Sequence, residues 1–318
     1  VADHPLAADF TQRSLVDLPN ADEPVNELEE TRLARFFAAA TDWLAQPREP
    51  FLLWLHTTGL GSVWDAPVEL RNQYVEEEDP LPPQTTQVPC RELPTDVDPD
   101  ELLGIRRAYA GQAVVLDTCI GAMDRLLVES GLGKRTLLAV FSARGFPLGE
   151  HGVVGACGDA LHAELVHVPW LLRFPDGLGA AARTQSFAQP ADLMPTLLEA
   201  CGIPAVAGLQ GTSLMPLVRG DSQRLRDRAL IISPSGERAV RTPAWHLRIP
   251  KPRADVSDAR DELYVKPDDR WEVNEVSDRC PEVVESLRLV LADLEQSHQT
   301  GLTSETQPLD DVLLHGLG

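Results

Sequence analysis

Apolar residues recur with the helical period in four segments of the chain. Within each segment they fall three, four or seven positions apart, which is typical of a helix that buries one face. The first segment follows Asn26, a candidate N-cap, and stops at a pair of prolines, and the second ends just before Gly131, a candidate C-cap. The sequence therefore predicts helices within residues 26–46, 102–130, 190–201 and 281–294.

Shorter apolar runs between these segments predict strands. Residues 51–56, 136–141 and 168–174 are mostly apolar, as expected of parallel strands covered on both faces. After Gly220 the pattern changes to four short pieces that suit an antiparallel sheet, at residues 228–233, 238–241, 245–249 and 262–265. We predict an α/β fold with a mostly parallel sheet between helices, followed by a small antiparallel sheet with a helix. The predicted domains are residues 1–222 and 223–318.

Composition and charge narrow the function classes. The 318 residues are 43% hydrophobic, which is enough for a large buried core. A formal net charge of -21 argues against nucleic acid or an anionic membrane surface as a partner. No apolar run approaches the roughly 20 residues that a membrane span needs. Five widely separated cysteines favour free thiols over a disulfide framework and show no zinc spacing.

The most informative segment, residues 141–152, is called the motif turn below. It contains Ser142-Ala143-Arg144-Gly145 and then Gly149-Glu150-His151-Gly152. This arrangement resembles the second metal motif of the sulfatases, a family of the alkaline phosphatase superfamily, which reads Ser-Asp-His-Gly and then Gly-Glu-His-Gly. The frame of the motif is kept, and its metal ligands are replaced.

Other segments resemble sulfatase motifs in the order that the family has them. They lie at residues 50–56 with 64–67, at 108–126, at 169–175 with 191–204 and 211–214, and at 262–274. The resemblance implies the alkaline phosphatase-like fold, covering the later part of the family's main domain and its C-terminal subdomain. It also implies a calcium ion on oxygen ligands, a formylglycine nucleophile made in a Cys-x-Pro-x-Arg motif, and sulfate held by lysine and histidine.

The chain departs from each part of that chemistry. No Cys-x-Pro-x-Arg occurs, and we expect it, with the first metal ligands, in an N-terminal half that this sequence does not contain. Ala143 and Arg144 stand where the family has its Asp and His ligands, and neither can donate a lone pair to calcium. Gly61 stands near the position of the substrate histidine. No lysine occurs between Lys134 and Lys251, so the sulfate-binding lysine is absent. We therefore predict no catalytic residue, no metal ligand and no cofactor.

Each remaining polar residue of the motif turn allows two interpretations. Arg144 either fills the vacated cation site and binds an anion, or pairs with a carboxylate such as Glu150. Ser142 is either a nucleophile or a strand-end hydroxyl that satisfies the backbone. His56, at the end of the strand predicted over residues 51–56, either binds a ligand or is structural.

A group of carboxylates and histidines follows the motif turn. It could hold a divalent metal, although its spacing matches no zinc signature, or its members could be solvated or satisfied in the core. The group comprises Glu150, His151, Asp159, His162, Glu164 and His167.

We interpret the chain as a sulfatase-like protein that is catalytically degenerate. It would bind an anionic ligand such as a sulfate ester or glycan, or a partner, at the former cleft around His56, Gly61 and the motif turn. The alternative is an active sulfuric ester hydrolase whose nucleophile and metal ligands lie in the missing N-terminal half. That half, or another chain, is expected to cover the sheet. The residues leave the compartment open, and export follows only from the family resemblance.

Overall fold

The computed structural model describes residues 7–46, 49–251, 260–300 and 307–317. The chain divides into two compact units, each described here by itself. One comprises Val1–Thr136 with Gly152–Cys157, and the other Leu137–His151 with Gly158–Gly318. The boundary predicted after residue 222 falls inside the second unit, where it separates the helix Met215–Arg219 from the antiparallel sheet. It stays a prediction about domains.

The described residues form eight α-helices and eight strands. The helices are α1 Arg32–Leu44, α2 Val68–Asn72, α3 Pro99–Glu129, α4 Ala163–Val166, α5 Leu193–Ala200, α6 Met215–Arg219, α7 Pro281–Thr300 and α8 Asp311–His315. The strands are β1 Arg91–Glu92, β2 Leu138–Phe141, β3 Val153–Val154, β4 Trp170–Arg173, β5 Ala229–Ile232, β6 Arg238–Arg241, β7 Trp245–Ile249 and β8 Glu262–Val265.

Helices α1, α2 and α3 build the first unit. Helix α3 begins at Pro99, behind an Asp98 side chain that accepts a hydrogen bond from the Asp100 amide. Helix α1 begins later than predicted, because Thr31 rather than Asn26 is its N-cap and accepts from the Ala34 amide. Both helices otherwise match the predicted segments.

The strand predicted over residues 51–56 is wrong for the described structure. These residues are assigned to no helix or strand and alternate between half-buried and exposed positions, and they pair with no described strand. Leu52 and Trp54 are 70% and 48% exposed. The apolar run identified a segment suited to a sheet interior, and the described residues supply no neighbouring strand for it.

Strands β2 and β4 confirm the next two strand predictions and form an antiparallel pair from Leu138↔Arg173 to Phe141↔Trp170. The sequence predicted mostly parallel pairing, whereas every strand pair among the described residues is antiparallel. Phe141 and Leu171 on this pair remain 40% and 59% exposed. Large apolar side chains on both strands therefore stay in contact with solvent.

The antiparallel sheet predicted after Gly220 is confirmed as a four-stranded meander in the order β5-β6-β7-β8. Its core contains Leu247 and Leu263 from the sheet and Leu287 from α7, all with no solvent exposure. Burying such a side chain stabilises the fold by roughly 1.5–3 kcal/mol relative to leaving it in water. Helix α7 covers one face of the meander, and the opposite face carries the polar site described next.

Candidate functional site

The first half of the motif turn is held by backbone hydrogen bonds. Ser142 follows β2; its amide donates to the Pro169 carbonyl and its hydroxyl donates to the Arg144 carbonyl at 2.7 Å. This contact fits the strand-end interpretation of Ser142. Gly145 approaches α4 so closely that an added Cβ would lie 1.9 Å from the Glu164 carbonyl oxygen, so only glycine fits there.

Ala143 and Arg144 are both exposed. The Arg144 Nη2 donates to the Gly158 carbonyl at 2.7 Å. The Glu150 carboxylate accepts from the Leu148 amide at 2.7 Å, so the described partners of both side chains are backbone groups rather than each other. The guanidinium therefore presents its positive charge to solvent, with donors left over for a ligand.

The second half of the motif turn contains His151, and contacts of both ring nitrogens hold this side chain in place. Nδ1 contacts Glu164 Oε1 at 2.6 Å and Nε2 contacts the Glu272 carbonyl at 3.1 Å. Because both partners can only accept, both nitrogens carry protons and the ring is an imidazolium. Burial opposes this charge, but the bonds to Glu164 and to the Glu272 carbonyl raise the pKa of His151 overall.

His162 lies flat on His151 and has the opposite protonation. The two rings stack with centroids 3.5 Å apart and planes 4° apart. His162 donates from Nδ1 to Glu272 Oε2 at 3.1 Å, while Arg248, which can only donate, contacts its Nε2. The ring is therefore neutral, and burial lowers the pKa of His162. A cation stacked on a neutral ring avoids the repulsion of two imidazolium ions.

Glu272 is the centre of these contacts and is 2% exposed. Its Oε1 accepts from His246 Nδ1 at 2.7 Å and lies 2.9 Å from Lys266 Nζ, while its Oε2 also accepts from the Ala163 amide. Burial would raise its pKa, but the hydrogen bonds from the histidines and the lysine lower the pKa of Glu272 far below the usual carboxyl range. We call this cluster the Glu272 network; it consists of His151, His162, Glu164, His246, Arg248, Lys266 and Glu272.

Arg248 connects the network to two further carboxylates. It donates to Glu237 Oε1 at 2.7 and 2.9 Å and to Glu262 Oε2 at 2.5 Å. The Tyr264 hydroxyl also donates to Glu262. Burial raises the pKa of Tyr264, and the hydrogen bond to this carboxylate raises it further. Most polar groups on this face of the meander are therefore paired with one another, whereas the buried Nε2 of His246 has no hydrogen-bond partner among the described residues.

A metal ion fits neither the Glu272 network nor the ligand positions of the motif turn well. His151, His162 and Glu272 place donor atoms within 4.8 Å of one another. These atoms already receive hydrogen bonds or donate them, and Arg248 and Lys266 bring two permanent charges that would repel a dication. For calcium, which prefers oxygen ligands, Ala143 and Arg144 offer a methyl group and a guanidinium. The residues of the motif turn do not fit the family's ion.

The structure brings together only part of the predicted group of carboxylates and histidines. His151, His162 and Glu164 meet in the Glu272 network, whereas Asp159 accepts from the Ser235 amide and His167 is exposed. His56 and Gly61 lie in the other unit and are exposed there. Sequence reasoning missed His246, Arg248 and Lys266, and it gave Glu272 no chemistry although the C-terminal motif contained it.

Comparison with known proteins agrees with the resemblance of the motifs. The family model described as Sulfatase matches residues 3–203. An N-acetylglucosamine-6-O-sulfatase of Bacteroides thetaiotaomicron is 26% identical over 121 residues, which are 38% of this chain and 21% of that protein. The matched part thus spans about a fifth of that relative's length.

Solved structures share the fold over more of the chain. The phosphonate monoester hydrolase of Agrobacterium radiobacter superposes with a TM-score of 0.67 at 17% identity, covering 97% of this chain and 69% of that one. The protein BT4656, solved with its substrate D-glucosamine-2-N,6-O-disulfate, gives a TM-score of 0.54 at 20% identity, covering 63% of this chain and 42% of that one. These likenesses confirm the predicted α/β fold of the alkaline phosphatase superfamily. With the family model matching residues 3–203, the chain belongs to the sulfatase family.

Proposed function

We propose that this chain is a catalytically degenerate sulfatase-like protein that binds an anionic ligand through Arg144. The observation that carries the proposal is the exposed guanidinium at a ligand position of the family's metal motif. It is held from one side by the Gly158 carbonyl, and its remaining donors are available to an anion.

The chemistry of the motif turn supports binding rather than turnover. Hydrolysis of a sulfate ester in this family depends on a hard cation that stabilises charge on the transferring group. Ala143 and Arg144 cannot ligate that cation, and the segment between Lys134 and Lys251 has no lysine to replace the missing positive charge. A guanidinium instead forms bidentate hydrogen bonds to sulfate or phosphate oxygens without a metal.

Sulfate esters, including sulfated glycans, are the proposed ligand class. The relative with a known substrate complex binds a disulfated glucosamine, and a relative of similar sequence is named for a sulfated sugar. The net charge of -21 gives no long-range attraction for an anion. Binding would therefore depend on short contacts at Arg144, and it should weaken only modestly with added salt.

Calorimetric titration with D-glucosamine-2-N,6-O-disulfate tests the proposal. Arg144→Ala should weaken binding by about 10-fold to 100-fold, since a charge-assisted hydrogen bond contributes about 1.5–3 kcal/mol. Arg183→Ala is the matched control, because Arg183 is another exposed arginine of the same unit. Equal affinities of the two variants would contradict a role for Arg144.

The alternative is an active sulfuric ester hydrolase completed by residues outside this sequence. It is favoured by the hydrolase relatives and by their greater length, since about a third of the phosphonate monoester hydrolase has no counterpart here. Tight calcium binding by a longer protein that contains this chain and the completing residues, together with turnover of an aryl sulfate that calcium removal abolishes, would establish the alternative and exclude the degenerate proposal.

We also propose that another chain segment covers the β2–β4 pair. Phe141 and Leu171 are exposed apolar side chains on strands that the fold normally buries on both faces. Analytical ultracentrifugation of the chain should show self-association that Leu171→Lys reduces. A monodisperse monomer at micromolar concentration, with a cooperative thermal transition, would contradict this part of the proposal.

A further inference from the structure

Two cysteines that are distant in sequence lie against each other in the first unit. Cys90 immediately precedes β1, and the register Arg91↔Val154 places it opposite Gly155. The two backbones are in close contact there, because an added Cβ on Gly155 would lie 3.0 Å from the Cys90 Cα. The turn after β3 then folds the chain back, and the Cys157 Sγ donates to the Val154 carbonyl at 3.3 Å.

The side chains of this pair also meet. The two thiols are close enough to interact electrostatically, since the neighbouring Cys90 contributes to a raised pKa of Cys157, and both residues are exposed. The other cysteines lie elsewhere: Cys119 is buried in α3, while Cys201 and Cys280 are in the second unit. Two adjacent thiols that a soluble oxidant can reach form a candidate redox site.

We propose that Cys90 and Cys157 are a thiol modification site that closes reversibly to an intramolecular disulfide. With oxidised glutathione as the oxidant, one cysteine thiolate attacks a glutathione sulfur and releases one glutathione thiolate. The second cysteine thiolate then attacks the protein sulfur of the mixed disulfide and releases the second glutathione. Two thiols lose two protons and two electrons, and one glutathione disulfide becomes two glutathione molecules.

The disulfide would strengthen a weak part of the unit. The β1–β3 ladder has only two residue pairs, so few backbone hydrogen bonds hold the segment Gly152–Cys157 to β1. A covalent link at its end would also close a long loop that contains α3, which restricts the unfolded chain. Desolvation and the interaction with the neighbouring Cys90 raise the pKa of the Cys157 thiol, so oxidation should accelerate as the pH rises above neutrality.

Incubation of the full chain with oxidised glutathione, followed by acid quenching, alkylation and non-reducing peptide mapping, tests the inference. We expect one cross-linked peptide pair joining Cys90 and Cys157, and a higher urea midpoint for the oxidised protein than for the reduced protein. Cys201→Ser should behave as the wild type, because Cys201 is an exposed cysteine of the other unit.

Cys157→Ser provides the decisive comparison. Without the second thiol, Cys90 should retain glutathione, and its mixed disulfide should accumulate at least tenfold more than in the wild type, where the second attack removes it. The inference is overturned if wild-type chains carry glutathione on both cysteines together. It is equally overturned if oxidation joins two chains through these cysteines instead of closing the pair within one chain.

Discussion

Replacing Glu272 with glutamine should destabilise the second unit strongly. The carboxylate has two acceptor oxygens that together face His162, His246, Lys266 and the Ala163 amide. A glutamine keeps one acceptor oxygen and turns an NH₂ group towards two of these donors, while Lys266 remains buried without its counter-charge. Removing one partner of a buried ion pair costs about 3–5 kcal/mol, a large fraction of the stability of an ordinary domain.

Urea denaturation at pH 7.5 measures this loss. Trp245, which is 1% exposed and adjacent to His246 in the sequence, gives a fluorescence signal from the same part of the unit. Glu282→Gln is the matched control, since Glu282 is exposed in the first turn of α7, and it should change the free energy of unfolding by less than about 0.5 kcal/mol. A loss below about 1 kcal/mol for Glu272→Gln would refute the role of Glu272 as the centre of the network.

Two further predictions concern pH and packing. The two neutral histidines of the Glu272 network have lowered pKa values in the folded chain, so below about pH 6.5 the unfolded chain binds protons that the folded chain does not. Stability should therefore fall with acidification below this pH by up to about 1.4 kcal/mol per pH unit for each. The raised pKa of His151 adds stability only as the pH falls towards about 6.5, and its contribution is constant below that pH. Urea midpoints that do not decrease between about pH 6.5 and pH 5 would contradict this prediction. In α3, Gly111→Ala should destabilise by about 1–3 kcal/mol, since its Cβ would lie 2.9–3.1 Å from Arg71 atoms. Gly121→Ala meets only a side-chain end at 3.8 Å and should stabilise by up to about 1 kcal/mol, so thermal melting that moves both variants in the same direction would contradict the packing argument.

The meander was predictable because its signals are local. Strands β6, β7 and β8 match the predicted bounds, since alternating residues between turn signals specify a strand and its antiparallel neighbour together. Residues 51–56 lack that advantage. A continuous apolar run indicates burial on two faces, but whether it pairs depends on strands that are distant in the chain or outside it. The same dependence explains why the parallel pairing expected of β2 does not appear among the described residues.

The sequence did not predict the polar site, because the pattern of its residues is typical of a solvent-exposed face. In β7, Trp245 and Leu247 alternate with His246 and Arg248, which ordinarily indicates one buried face and one solvent-exposed face. Both faces are buried, because Glu237, Glu272 and the histidines of the network cover the polar one. Tertiary contacts reveal this burial, and some of them, such as that of His162 with Glu272, join residues more than a hundred positions apart.

The network also changes what the motif turn can indicate about activity. His151 belongs to the Gly-Glu-His-Gly part of the family motif, yet its two ring nitrogens are occupied by Glu164 and the Glu272 carbonyl. Its retention is therefore explained by the cost of leaving buried charges unpaired, and that cost is the same with or without catalysis. Ala143 and Arg144 are exposed and carry no such structural demand. On the proposed match to the family motif, the structurally constrained position keeps the family residue, and the two exposed positions differ from it.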